Sequence, residues 1–144
     1  MTAIVDASVA VKWLVEEIDS EAAQRLLDSD KNLVAPDFVL VETANVLWKK
    51  TQRRELKAEQ AVAGIRALPT YFEQLMPSAP LLPRALAIAI EVGHPVYDCL
   101  YLACAELLEV RLVTGMIGSS RRCGRKSRPC GSLPILTLVR ATSC

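Results

Sequence analysis

The first twelve residues, M-T-A-I-V-D-A-S-V-A-V-K, change period in mid-run, and no other stretch restricts the chain as much. Thr2 to Val5 is a short, mostly β-branched run that predicts a strand, whereas Val9, Ala10, Trp13 and Leu14 fall at helical spacing. Asp6 stands at the switch between the two. At the carboxyl end of a strand in an open parallel sheet, its oxygens would face the crevice where such sheets bind ligands. Ser8 adds a hydroxyl two residues on. The same residue types also cap helices by accepting backbone N–H groups. Taken alone, the stretch leaves capping and ligand binding equally open.

The rest of the chain alternates in the same way. Asp19 to Asp30 predicts a second helix with Ala22, Ala23, Leu26 and Leu27 as its apolar stripe, and Leu33 to Ala35 a buried strand. Pro36 is expected to open a third helix, at a position where proline is tolerated. That helix runs through Phe38, Val41, Ala44, Leu47 and Trp48 to about Lys50. Glu42 and Asn45 share a face of it, and Glu42 either turns to solvent or sits in a polar pocket. Lys49, Lys50, Arg53, Arg54 and Lys57 form a basic cluster, read as a solvated helix end or as a track for a nucleic-acid backbone.

Further on, Glu59 to Leu68 predicts a helix with Val62, Ile65 and Leu68 inward, and Phe72 to Met76 a strand. Pro77, Pro80 and Pro83 are expected to punctuate a loop. Ala85 to Val92 is helical and closed by Gly93. Tyr97 to Leu108 is the last helix, with Leu100, Cys104, Leu107 and Leu108 inward, and Arg111 to Thr114 a last short strand. Asp98 lies in that helix's first turn, where an acid complements the dipole. Alternating strands and helices argue for an α/β fold with a mostly parallel sheet.

Length and composition suit one densely packed domain over residues 1–144: hydrophobic residues make up 51% of the chain. No apolar run approaches the roughly 18 residues of a membrane helix. The N-terminus shows no signal-peptide pattern, so a cytoplasmic location without membrane attachment is expected. Five cysteines without regular spacing do not suggest a disulfide framework. The net charge of +1 hides a division. Residues 1–114 carry 11 basic and all 16 acidic side chains, whereas 115–144 carry 6 basic and none acidic.

Several chemistries are excluded. With His94 as the only histidine, a two-histidine ribonuclease mechanism is impossible. No phosphate-binding glycine loop occurs, and Cys123 and Cys130 lack zinc-site spacing. What recurs at element boundaries or among apolar neighbours is acid: Asp6, Glu42 and Asp98. Clustered carboxylates suit hard cations such as Mg²⁺ and Mn²⁺, which assist phosphoryl displacement.

The stretches I-V-D-A-S-V (4–9), P-D-F-V-L-V-E-T-A-N-V-L (36–47), V-Y-D-C-L-Y-L-A-C-A-E (96–106) and L-V-T (112–114), in that order, resemble the PIN-domain family. They look most like its VapC-type ribonuclease toxins from toxin–antitoxin pairs. The resemblance implies a three-layer fold, with helices flanking a central, mostly parallel sheet. It also implies a metal-dependent endoribonuclease neutralised by a cognate antitoxin protein and paired as a homodimer. By position, Asp6, Glu42 and Asp98 match three acids that hold Mg²⁺ or Mn²⁺ and help to cleave RNA. Ser8, Asn45 and Thr114 match supporting polar positions.

After L-V-T the chain departs from the family, which continues with a small residue and a fourth acid. Here Gly115-Met116-Ile117-Gly118 follows. Codons GGG-ATG-ATC-GGN for that tetrapeptide contain GAT-GAT-CGG, Asp-Asp-Arg, in a neighbouring frame. The atypical basic tail, 115–144, is therefore either a frameshifted segment or a genuine extension that binds RNA or the antitoxin. Two functions follow: a metal-dependent ribonuclease toxin, or a catalytically impaired PIN domain that only binds antitoxin or RNA. A phosphotransfer domain built on Asp6 is disfavoured, because Asp6-Ala7-Ser8 lacks the second acid of a D-x-D motif.

Overall fold

The computed structural model describes residues 1–114. The gap at the fourth acid and the frameshift reading both lie outside the described residues.

The elements follow in the order β1 (Thr2–Val5), α1 (Ala7–Leu14), α2 (Ser20–Leu27), β2 (Asn32–Pro36), α3 (Phe38–Gln52), α4 (Ala58–Ala67), a 3₁₀ turn (Leu68–Tyr71), β3 (Gln74–Met76), α5 (Ser78–Val92), α6 (Val96–Leu108) and β4 (Arg111–Val113). The four strands form one parallel sheet in the order β3-β2-β1-β4. Ile4 lies between Val34 and Leu112 in the register. Ala3, Ile4 and Val5 are buried in succession, as are Leu33 to Pro36, because helices cover both faces of a parallel sheet.

The strand order explains the layers. From β1 the chain moves outward through β2 to β3, then crosses back to place β4 on the other side of β1. Right-handed crossovers in opposite directions put their helices on opposite faces. Accordingly α1 packs on α2 and α3, and α3 on α4, while α5 packs on α6, which lies across β1, β2 and β4. The reversal between β1 and β4 opens a crevice at their carboxyl ends.

Several expectations are corrected. Pro36 ends β2 rather than opening a helix. Its neighbour Asp37 continues the ladder, donating its N–H to Met76 O at 2.8 Å, so the helix starts only at Phe38. Pro80 and Pro83 lie inside α5, not in a loop. Proline at position 83 forfeits one backbone bond, but Leu81, Ala85, Ile88 and Ala89 make a buried stripe that offsets the loss. Val62 and Leu107, expected inward, are exposed, as are Val41 and Trp48 on α3. Lys50, read as part of a solvated cluster, is largely buried and reaches Glu17 at 2.5 Å and Glu55 at 3.3 Å.

Other expectations hold. Gly93 closes α5 with a left-handed φ of 67°, which a side chain would strain. Cys99 and Cys104 are buried packing groups on α6. No single helix among the described residues is long and apolar enough to cross a membrane.

Candidate metal and catalytic site

Asp6 directly follows β1, and its N–H donates to Val113 O at 3.3 Å, extending the β1–β4 ladder into the mouth of the crevice. The side chain does what the capping reading expects: Oδ1 accepts the N–H of Val9 at 3.1 Å. The same oxygen accepts the Ser8 hydroxyl at 2.5 Å. Capping therefore orients this carboxylate and does not compete with a site role. Thr114, one residue past β4, is brought to the same end of the sheet.

Glu42 lies in the second turn of α3, just beyond the carboxyl end of β2. Of its two expected environments the polar pocket is the observed one. The phenol of Tyr101, itself 3% exposed, donates to Glu42 Oε2 at 2.6 Å. Burial pushes the Glu42 carboxyl above its ordinary range. The Tyr101 bond opposes this, and the charges of Asp98 and Asp6 add to it. Asp98 occupies the first turn of α6, and Oδ2 lies 3.3 Å from His94 Nδ1. Its carboxyl is also raised, first by burial, against the pull of His94 and with a contribution from Asp6. Asn45 is exposed, one turn beyond Glu42 on α3.

Three carboxylates from β1, α3 and α6 thus feel one another's charge across a single crevice. Such a set is self-repelling, and a cation relieves it. All of its donors are oxygens, which fits a hard divalent ion such as Mg²⁺ or Mn²⁺. Among the described residues no three acid, histidine or cysteine side chains stand close enough to hold a metal as they lie. A shallow cavity of about 190 Å³ lies at the opposite end of the sheet, beside Thr2, Asn32 and Glu73, with a single carboxylate.

Tyr101 was not among the expected site residues. Two signals point to it: it lies three residues after Asp98 on one helix face, and a buried phenol needs a partner.

Comparison with known proteins supports the family resemblance. A family model for the PIN domain matches residues 3–115. The chain belongs to the PIN-domain family. This PIN domain is 34% identical over 116 residues to Ribonuclease VapC3 of Pyrobaculum aerophilum, covering 79% of this chain and 88% of that protein. It is 31% identical over 129 residues to Ribonuclease VapC1 of Mycobacterium tuberculosis, covering 88% and 92%. These relatives mark it as a VapC-type PIN domain. Its fold is similar to that of the crystal structure of PAE2754 from Pyrobaculum aerophilum, with a TM-score of 0.59, 24% identity, and coverage of 80% and 79%. It is also similar to Mycobacterium tuberculosis VapC20, a sarcin-ricin loop cleaving toxin, with a TM-score of 0.64, 20% identity, and coverage of 88% and 99%.

Proposed function

We propose that this PIN domain is an endoribonuclease toxin that works with Mg²⁺ or Mn²⁺ and is held in check by a cognate antitoxin. What supports the reading is that Asp6, Glu42 and Asp98 lie around the end of the sheet where the strand order reverses, within reach of one another's charge. The ribonuclease names of its sequence relatives support the substrate class.

In this reading Asp6, Glu42 and Asp98 hold the cation. When bound, the ion lowers the pKa of a water and offsets charge building on the phosphoryl oxygens. The chain's own residues supply placement. Asp6 is locked by Ser8 and the Val9 N–H, and Glu42 by Tyr101. Asn45 and Thr114 are the polar groups that this reading assigns to the RNA backbone. Like charge among the acids repels an RNA phosphate until the cation is in place, so substrate and metal bind cooperatively.

Exposed apolar residues suit the expected protein partners. Leu82, Leu86 and Ile90 recur at helical spacing along α5, with Leu107 exposed on α6. Val41 and Trp48 stand out from α3. Surfaces of this kind mark interaction sites, and they fit a homodimer partner and an antitoxin segment. A cytoplasmic location is part of the same proposal.

The test is RNA cleavage by the purified chain with Mn²⁺ or Mg²⁺, alongside Asp6→Asn and Met116→Asp. Metal-dependent cleavage that disappears in Asp6→Asn supports the reading and shows that three acids suffice. Activity gained only with Met116→Asp identifies the absent fourth acid as a defect. Inactivity of all three chains favours the binding-module alternative.

A further inference from the structure

The Tyr101 hydroxyl has an unusual set of neighbours. A buried aromatic ring could fill this place in the core as phenylalanine, since Tyr101 belongs to the main buried cluster that the strands and α6 share. The hydroxyl instead donates to a carboxylate 59 residues away in the chain, at 2.6 Å. The backbone of Ala7, the residue after Asp6, lies near enough to act on the phenol electrostatically. Asp98 lies one turn earlier on the same helix. One phenol therefore bonds Glu42 and lies near the Asp6 segment, while sharing its helix with Asp98.

We propose that Tyr101 is a positioning residue for the divalent-metal site, restraining the Glu42 carboxylate at the crevice that it shares with Asp6 and Asp98. This rests on the reading of the three acids as metal ligands. The physical need is clear: the three carboxylates repel one another, and Glu42 is the one on a long, flexible side chain. Unheld, it would swing toward solvent and lose the entropy of being recaptured each time a metal binds. The bond takes up Oε2 only, and it costs the chain nothing extra, because the phenol is buried and would otherwise lack an acceptor. Hydrogen-bond partners behind metal ligands typically account for about 10- to 100-fold in metal affinity.

The experiment is a Mn²⁺ titration by calorimetry on the full chain, in the parent, Tyr101→Phe, Glu42→Gln and the double variant. Tyr101→Phe keeps the ring and its burial, and Tyr101→Leu provides a second hydroxyl-free chain should the first not fold. The expected result is about 10-fold weaker Mn²⁺ binding in Tyr101→Phe and little further loss when it is added to Glu42→Gln. The metal-free thermal midpoint should stay near the parent's. Equal Mn²⁺ affinity in the parent and Tyr101→Phe overturns the proposal, while loss in Glu42→Gln leaves the site reading standing. An equal loss from Tyr101→Phe in both backgrounds also overturns it, because that is the mark of a general packing role. A parent chain that binds no Mn²⁺ removes the site reading and this proposal together.

Discussion

Ser8 and the backbone of Val9 converge on one atom, Oδ1 of Asp6, at 2.5 and 3.1 Å. The helix cap and the candidate ligand are thus one carboxylate, pinned through one oxygen. Ser8→Ala removes the stronger restraint and leaves the backbone bond to do the capping. The expected outcome is a loss of no more than about 1 kcal/mol in urea unfolding with a several-fold fall in Mn²⁺ affinity. An unchanged affinity would make Ser8 a capping accessory only.

Glu42 is kept in place at the expense of stability. Burial and two like charges oppose its ionisation. Glu42→Gln keeps an acceptor for Tyr101 and removes the charge, so the metal-free chain should gain roughly 1 kcal/mol, the scale of a typical stabilising substitution. The thermal midpoint should rise by a few degrees in chelator, and the added stability conferred by Mn²⁺ should shrink. A lower midpoint in chelator would show that the repulsion is already relieved in the metal-free chain.

Lys50 provides a test in pH. Its ammonium is raised above the ordinary lysine value of 10.5, first by its hydrogen bond to Glu17 and then, beyond a smaller opposing effect of burial, by the charges of Glu17 and Glu55. A group raised on folding contributes stability that is complete below its unfolded value and is lost as pH rises through its folded value. Lys50→Met should therefore cost about 1 kcal/mol near neutral pH, and the gap to the parent should narrow above pH 10.5. A gap that stays constant into that range would mean the lysine acts through packing of its stem.

Leu68 opens the 3₁₀ turn after α4 and is fully buried in the core. Leu68→Ala should leave a cavity and cost about 2–5 kcal/mol. Denaturant midpoints measure this directly. A cost under about 1 kcal/mol would show that the turn collapses to fill the space.

Burial pushes the Cys104 thiol up to about 11. With its side chain fully buried, it should resist alkylation by iodoacetamide at pH 8 in the native chain and react on unfolding. Mass spectrometry of the peptide carrying Cys104 distinguishes the two states. Prompt native labelling would indicate that α6 opens locally.

Much of the architecture was legible because its causes are local. The period change at Asp6, the glycine after α5 and the acid in the first turn of α6 follow from backbone geometry and helix dipoles within a few residues. These locate Asp6 and Asp98 at element boundaries before any contact is known. The prolines misled for the same reason. Judged locally, Pro83 breaks a helix, whereas the structure keeps α5 continuous because the apolar stripe from Leu81 to Ala89 gains more by burial than one backbone bond is worth.

The sequence by itself therefore determined the alternation of strands and helices and the positions of two acids, since both depend on neighbours along the chain. Only the tertiary structure decided which faces are covered, leaving Val62 and Leu107 exposed, and whether Glu42 turns to water or inward. That last choice depends on a phenol 59 residues away. Helical periodicity cannot report it, because the partner reaches Glu42 only after α6 has packed across the sheet.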